Sequence, residues 1–222
     1  MRPFAELYQL ACRRKGSEAA VRERLPEVLS PAALQQRSDA FYLSLMMRRI
    51  FRAGLSHGMV DARWPAFEDA FFGFEPEKLV LMPDTMLDQR LQDPRLIRHA
   101  AKMQAIRFNA QMVRDISLEH GGFGRLLAEW PDQDIVGLWL VLARRGKQLG
   151  GHSAPAFLRM AGRDTWYPTD DVRAALVANG VVERALTSQR DKRAAQAAIN
   201  TWQAESGLPQ AHISRILAMT IG

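Results

Sequence analysis

Residues 142–162 place cationic side chains directly before a glycine-rich turn, a combination that can bind an anion. Glycines let the backbone turn tightly and come close to a ligand. The first N–H groups of the following helix have no partner inside that helix, and a helix start carries partial positive charge. Such a turn can therefore hold an anion, although a Gly-Gly corner between helices also occurs as a plain chain reversal. The residues concerned are Arg144, Arg145, Lys147, Gly150, Gly151, His152 and Ser153.

A second candidate group is the pair of adjacent carboxylates Asp170 and Asp171, which precede an apolar helical pattern. A carboxylate can stabilise a developing positive charge, and it can orient or deprotonate a water molecule. Carboxylates at a helix start also cap the helix and interact favourably with its dipole. The spacing fits both functions, and it does not distinguish the two residues.

The most specific pattern in the chain lies in residues 52–110. It contains AGLS (Ala53–Ser56), FGFEP (Phe72–Pro76) and IRHxxKxQAIxxNA (Ile97–Ala110). That order and spacing resembles the 3-methyladenine DNA glycosylase I family, which belongs to the helix-hairpin-helix superfamily of base-excision glycosylases. The resemblance extends over about residues 38–220.

The resemblance implies roles for the two candidate groups. The segment 142–162 looks like the helix-hairpin-helix element, whose backbone amides bind a DNA phosphate without reading sequence. In the superfamily an aspartate after the hairpin faces the sugar of a flipped nucleotide, and Asp171 is the first choice for it, with Asp170 second. The residues expected to contact DNA are Gly150, Gly151, His152, Ser153, Lys147, Arg98 and Lys102; plain solvent exposure is the alternative for Lys102.

The base pocket departs from the family pattern at two positions. Aligned through AGLS, the usual pocket glutamate falls at Arg49 and the usual tryptophan at His57. An anionic group and an electron-rich ring attract cationic 3-methyladenine, whereas an arginine repels it. Phe41 and Tyr42 are further pocket candidates, and aromatic residues at helical spacing also occur as ordinary core.

Helical periodicity occurs in nearly every segment, and no stretch alternates as a strand does. We therefore predict an all-α fold, a compact two-lobed helical domain over residues 1–222 with an N-terminal helical extension at 1–36. The predicted helices are 3–14, those starting at Ser30-Pro31 and at Ser38, 63–71, 84–91, 96–118, 134–148, 154–161, 171–178, 188–205 and 209–219.

Composition limits the remaining possibilities. The net charge is +6 and the pI about 10, and a basic surplus favours contact with polyanions. Cys12 is the only cysteine, which excludes an internal disulfide and fits a reducing cytoplasm. The Cys and His ligands with which the family often binds zinc are missing, so we expect no metal. No cofactor is implied, no apolar run suits a membrane, and a monomer is expected.

The family resemblance implies a monofunctional DNA glycosylase that releases an alkylated, 3-methyladenine-like base from double-stranded DNA in base-excision repair. No lysine stands where bifunctional glycosylases form a Schiff base, because Lys147 precedes the glycines. The alternative is a non-catalytic DNA-binding protein that retains the scaffold, and the residues at positions 49 and 57 favour it.

Overall fold

The computed structural model describes residues 1–183 and 186–221, and the regular elements in this part of the chain are all helical. The all-α prediction is confirmed. The α-helices of the described part are α1 (Phe4–Lys15), α2 (Glu18–Arg22), α3 (Pro31–Gln35), α4 (Asp39–Arg52), α5 (His57–Ala70), α6 (Pro76–Val80), α7 (Asp84–Gln92), α8 (Ala100–His120), α9 (Phe123–Glu129), α10 (Ile135–Arg145), α11 (Ser153–Met160), α12 (Asp170–Ala178), α13 (Gln189–Ser206) and α14 (Gln210–Met219). Within the same residues, no helix is long and apolar enough to cross a membrane.

Local capping chemistry sets many helix ends. A serine or threonine side chain accepts a hydrogen bond from a backbone N–H in the first turn, which satisfies a donor that the helix itself leaves unpaired. The capping residues are Ser17, Ser30, Ser38, Ser56, Thr169 and Ser188. At the other end of α8, Gly121 adopts a left-handed conformation with φ +74°, which favours glycine. Ser30 and Ser38 begin helices as predicted, and the predicted stop at Gly121-Gly122 is also found.

Several predicted boundaries were wrong. Helices α2, α6 and α9 were not predicted, because five to seven residues are too few to show a helical period. Helix α5 begins at His57 rather than residue 63, and α8 begins at Ala100 rather than residue 96. Helix α10 ends at Arg145 rather than residue 148.

The chain divides into two compact units. Unit 1 comprises Met1–Leu29, Trp130–Trp139 and Gly162–Gly222, and unit 2 comprises Ser30–Glu129 and Leu140–Ala161. A single domain over residues 1–222 stays a prediction.

An aromatic cluster forms much of the core of unit 2. The rings of Trp64 and Phe67 stack with centroids 5.0 Å apart, and the Trp64 and Phe74 rings stack at 5.4 Å. The short turn Phe72–Phe74 directs Phe74 into this cluster by taking left-handed conformations, with φ 55° at Phe72 and 60° at Phe74. Such values are costly for bulky residues, so burial of the Phe74 ring must offset the strain.

The core of unit 1 depends on buried polar contacts as well as on apolar packing. The Trp166 indole is buried and donates a hydrogen bond to Gln196 Oε1 at 2.9 Å. The buried carboxylate of Asp164 accepts hydrogen bonds from the N–H groups of Gln210 at 3.0 Å and Ala211 at 2.8 Å. These are the first two residues of α14, so Asp164 caps that helix from a distant part of the sequence.

Candidate functional site

The AGLS turn (Ala53–Ser56) connects α4 to α5 in unit 2, and a carboxylate holds the two helices together beside it. Asp61 on α5 accepts hydrogen bonds from Arg48 Nε at 2.8 Å and from Arg52 Nε and Nη2 at 2.9 and 2.7 Å. The hydrogen bond from Arg48, and then that from Arg52, keeps the pKa of Asp61 below its ordinary value. Two of the three arginines at the end of α4 are therefore paired with one shared carboxylate.

Arg49 is the third of these arginines, and it stays outside the network. Its side chain is half-buried, and it forms no hydrogen bond or ion pair with any residue that the structure describes. Its charge, after the larger effect of burial, lowers the pKa of Lys102. The position where the family carries a glutamate is thus occupied here by an uncompensated cation.

Lys102 of α8 supports the AGLS turn through hydrogen bonds to its backbone. The side chain is 7% exposed, and its ammonium donates hydrogen bonds to the carbonyl oxygens of Ala53 at 2.6 Å and Phe51 at 3.3 Å. Those carbonyls lie at the C-terminal end of α4, where helix carbonyls lack intrahelical partners and carry partial negative charge. Lys102 therefore stabilises the turn and does not present its charge on the surface, contrary to the expected contact with DNA.

The hairpin loop (Gly146–His152) joins α10 to α11, and Asn109 of α8 fixes its backbone. Asn109 is fully buried. Its Oδ1 accepts a hydrogen bond from the Lys147 N–H at 2.7 Å, and its Nδ2 donates one to the Lys147 carbonyl at 3.0 Å. One side chain thus satisfies both main-chain groups of a single loop residue, as a neighbouring strand does in a sheet.

The glycines of the hairpin loop leave its backbone open. Gly150 and Gly151 are exposed, and a Cβ added at either would meet nothing within 4 Å. Gly151 has φ +59°, which favours glycine. Packing does not require glycine at Gly150. The lack of a side chain there leaves the main chain accessible, which suits close approach of an anion.

The charged side chains near the loop are held differently from one another. Arg145 forms a two-point ion pair with Glu119, with N–O distances of 2.5 and 2.7 Å. Lys147 is exposed, and its ammonium lies 4.8 Å from the centre of the Phe108 ring. His152 and Ser153 lie at the start of α11, where His152 is exposed and Ser153 is half-buried.

A single face of α8 positions both loops. Lys102 and Asn109 are seven residues apart, or two helical turns, which corresponds to about 10 Å along the axis. The first binds the end of α4 and the second binds the hairpin loop. No role was predicted for Asn109, although this residue lies within the IRHxxKxQAIxxNA motif. A polar residue recurring in register with Lys102 on an otherwise apolar stripe is the signal that would have identified it.

The structure separates the remaining pocket candidates into surface and core. His57 is the first residue of α5 and is exposed, and Phe41 is 37% exposed beneath the guanidinium of Arg37. Arg98 is exposed in the segment before α8. No hydrogen bond ties His57 or Arg98 to another described residue.

Tyr42 lies in the core of unit 2, which corrects the expected placement in a base pocket. Its ring is fully buried, its hydroxyl donates to the Leu34 carbonyl at 2.6 Å, and burial raises its pKa to about 12. The ring also packs so closely on Gly124 that a Cβ there would lie 2.9 Å from it. The close packing of the ring leaves no space for a base beside it. Through its contacts with Leu34 and Gly124, Tyr42 connects α4 with α3 and α9.

The two carboxylates lie in unit 1 at the start of α12, and both are exposed. The cap of α12 is Thr169, whose hydroxyl accepts a hydrogen bond from the Val172 N–H at 3.2 Å. Asp170 forms an ion pair with Arg173. Asp171 forms no hydrogen bond or ion pair with another residue of the described ranges. The capping function is thus taken by Thr169, and Asp171 is the carboxylate left available.

Metal-binding side chains do not cluster in the described residues. Within residues 1–183 and 186–221, no group of three or more His, Cys, Asp and Glu side chains could hold a metal ion.

Comparison with known proteins gives a family match over slightly less than half of the chain. The methyladenine glycosylase family model matches residues 33–140, which include the AGLS turn, the FGFEP turn and all of α8. A comparison with curated proteins gives no match.

Solved structures give a similar result. A point variant of 3-methyladenine DNA glycosylase I in complex with 3-methyladenine is 25% identical, with a TM-score of 0.52 over 66% of this chain and 84% of the other. The Staphylococcus aureus enzyme of the same name is 24% identical, with a TM-score of 0.53 over 62% and 80%. The 8-oxoguanine DNA glycosylase of Methanocaldococcus jannaschii is 15% identical, with a TM-score of 0.56 over 95% and 89%. The last two similarities concern the fold alone.

Proposed function

We propose, from the match of residues 33–140 to the methyladenine glycosylase family model, that the chain is a monofunctional DNA glycosylase acting in base-excision repair. The observation that carries the proposal is the hairpin loop. The Gly150-Gly151 main chain is exposed there, and Asn109 fixes the main chain of Lys147 three residues before it. A phosphate of damaged double-stranded DNA would bind there without regard to base sequence.

The reaction is hydrolysis of the bond between the sugar C1′ and the base. The target nucleotide leaves the stack, the C1′–N bond breaks, and positive charge develops on the deoxyribose. The carboxylate of Asp171 stabilises that charge and orients the water whose oxygen adds to C1′. The base departs with the bonding electron pair, and the proton of the attacking water passes to solvent. Within the hairpin segment, residues 142–162, no lysine follows the glycines to form a Schiff base, which supports a hydrolase without lyase activity.

The proposed substrate is an alkylated base of the 3-methyladenine type. A positively charged base is already a good leaving group and needs little acid assistance. The uncompensated charge of Arg49 near the AGLS turn opposes binding of such a base by simple repulsion, so Arg49→Gln is expected to raise 3-methyladenine release severalfold. Release of a neutral lesion such as hypoxanthine, measured in parallel, gives the control. A lower 3-methyladenine release in the variant would show that Arg49 serves this substrate.

The decisive experiment is release of free base from methylated duplex DNA under single-turnover conditions. Asp171→Asn keeps the shape of the side chain and removes its charge, and it is expected to reduce the rate by about 100-fold or more. Asp170→Asn is the matched control, since the Asp170 carboxylate is already paired with Arg173, and its rate should stay near the original. A rate that Asp171→Asn leaves unchanged contradicts the proposed mechanism.

A second candidate is a DNA-binding protein without catalysis, which the residues at positions 49 and 57 favour because neither resembles the family pocket. Salt-dependent retention of DNA without release of any base from a panel of alkylated and deaminated duplexes would support it. Absence of such retention would instead indicate a helical protein with no nucleic-acid role.

A further inference from the structure

Unit 2 contains a cleft next to the hairpin loop that the proposed reaction does not use. Its volume is about 550 Å³, within the usual range of about 300–1,000 Å³ for small-ligand sites. We call it the Phe108 cleft. The lining residues that matter here are Asp84 and Asp88 of α7, Gln104, Phe108 and Gln111 of α8, and Lys147 of the hairpin loop.

The floor of the cleft is an aromatic ring bordered by amides. Phe108 is 46% exposed in the middle of α8. Single exposed apolar residues are common, but Gln104 and Gln111 lie four residues before and three after it and so share its face of the helix. An aromatic surface flanked by hydrogen-bonding amides suits a flat heterocycle, which offers a stacking face and polar edges.

Lys147 connects this ring to the loop that we assign to phosphate binding. Its ammonium lies 4.8 Å from the ring centre, and its backbone is fixed by Asn109, the residue directly after Phe108. A cation–π contact at an exposed site is weak, and a charge-assisted contact with phosphate is stronger. Bound DNA would therefore draw the ammonium away and uncover the face of the ring.

The charges of the cleft favour one orientation of a nucleotide. Asp84 pairs with Arg107 at 2.6 Å, while Asp88 forms no ion pair with any described residue. Arg107 also lines the cleft, and its charge is balanced by Asp84. The carboxylate of Asp88 therefore repels a phosphate, and Lys147 of the hairpin loop attracts one. The phosphate is thus expected at the loop, with the base over Phe108.

We propose that the Phe108 cleft binds one unpaired nucleotide of DNA, with its base stacked on Phe108 and its phosphate on Lys147. The proposal rests on the proposed function, since DNA held at Gly150-Gly151 brings the nucleotide there. Gly150 is three residues after Lys147 along the chain, and this offset spans at most about 10 Å, which corresponds to about three nucleotide steps of ~3.4 Å. The bound nucleotide therefore lies on the strand held by the hairpin.

The experiment compares a short duplex that carries one unpaired nucleotide with the fully paired duplex of the same sequence. Affinities are measured by fluorescence anisotropy at fixed salt. We expect the intact protein to prefer the unpaired nucleotide, and Phe108→Leu, which keeps an apolar side chain but removes the aromatic face, to weaken that complex about tenfold. Binding of the paired duplex should not change, and Phe108→Trp should retain the preference.

Leu118→Ala provides the control, because Leu118 is an exposed apolar residue of the same helix outside the cleft, and it should change neither affinity. Replacement of the unpaired nucleotide by 5-iododeoxyuridine should also give a photocrosslink to the peptide containing Phe108. Equal affinities for the two duplexes, or a preference that survives in Phe108→Leu, overturn the proposal. Base release by the unaltered protein is measured in parallel. If it releases no base while its preference for the unpaired nucleotide persists, the proposed glycosylase activity is contradicted and the nucleotide-binding cleft is supported.

Discussion

The AGLS turn and the hairpin loop are both held by α8, yet their supports differ in kind and in number. The turn rests on a buried charge, Lys102, and the helices beside it are also joined by Asp61 with two arginines. Within the hairpin loop, a neutral amide, Asn109, satisfies both main-chain groups of Lys147. A support that is shared can lose one member at modest cost, whereas the loop depends on one side chain. The comparison predicts unequal effects of substitution.

Asn109→Ala is expected to have the largest effect. It leaves an N–H and a carbonyl of Lys147 without partners and opens a cavity, so the free energy of unfolding should fall by about 2–4 kcal/mol. Urea denaturation measures this change, and hydrogen exchange at the Lys147 amide should accelerate. Gln111→Ala on the same helix, where Gln111 bonds only to Asp115, should change stability by less than about 0.5 kcal/mol. Equal effects of the two substitutions would remove the distinction between the loops.

Lys102→Met should cost less, about 1–2 kcal/mol at neutral pH, because two carbonyls lose a donor while a buried charge is also removed. Burial, and then the charge of Arg49, lowers the pKa of Lys102 in the folded protein. Between that lowered value and the unfolded value of about 10.4, the unfolded chain binds more protons, so stability rises with pH. The advantage of the unaltered protein over Lys102→Met should therefore grow as pH rises toward about 10. A constant difference across this range would argue against a desolvated ammonium.

Asp61→Asn should have the smallest effect, about 1 kcal/mol, since the carboxylate is partly exposed to solvent screening. The folded pKa of Asp61 is lowered by its hydrogen bonds from Arg48 and Arg52. Its contribution is complete above the ordinary aspartate pKa of about 4 and is lost as pH falls through the lowered folded value. Thermal unfolding of both proteins against pH should converge in acid. A loss as large as that from Asn109→Ala would mean that Asp61 is the main support of the turn.

Periodicity and capping predicted most of the fold, because long amphipathic helices such as α4 and α8 have periodic patterns that are visible in the local sequence. Periodicity alone nevertheless did not show that Phe108 of α8 is 46% exposed while Lys102 of the same helix is buried. Which polar residue finds a buried partner depends on neighbours distant in sequence, here the end of α4. The same limit applies to Asp164, whose partners at the start of α14 lie more than forty residues away.

The candidate site was predicted less completely than the fold. Glycine and charge patterns correctly located the exposed loop at Gly150-Gly151, but they could not show that Asn109 fixes it. The spacing did not distinguish Asp170 from Asp171, and the family resemblance only ranked Asp171 first. The ion pair of Asp170 with Arg173 and the cap by Thr169 distinguish them in the structure. A family motif predicts which residue types occur along the chain. It does not show which of them face the core, as the buried ring of Tyr42 illustrates.

The hydrogen bonds between Asn109 and Lys147 involve the main chain of Lys147 and not its side chain. These bonds therefore do not depend on which side chain stands at position 147. Substitutions at that position can change the strength and salt tolerance of polyanion binding without remodelling the loop. Natural variation or laboratory selection at this one surface residue can thus adjust the residence time of the protein on DNA while the hydrogen bonds that hold the loop stay the same.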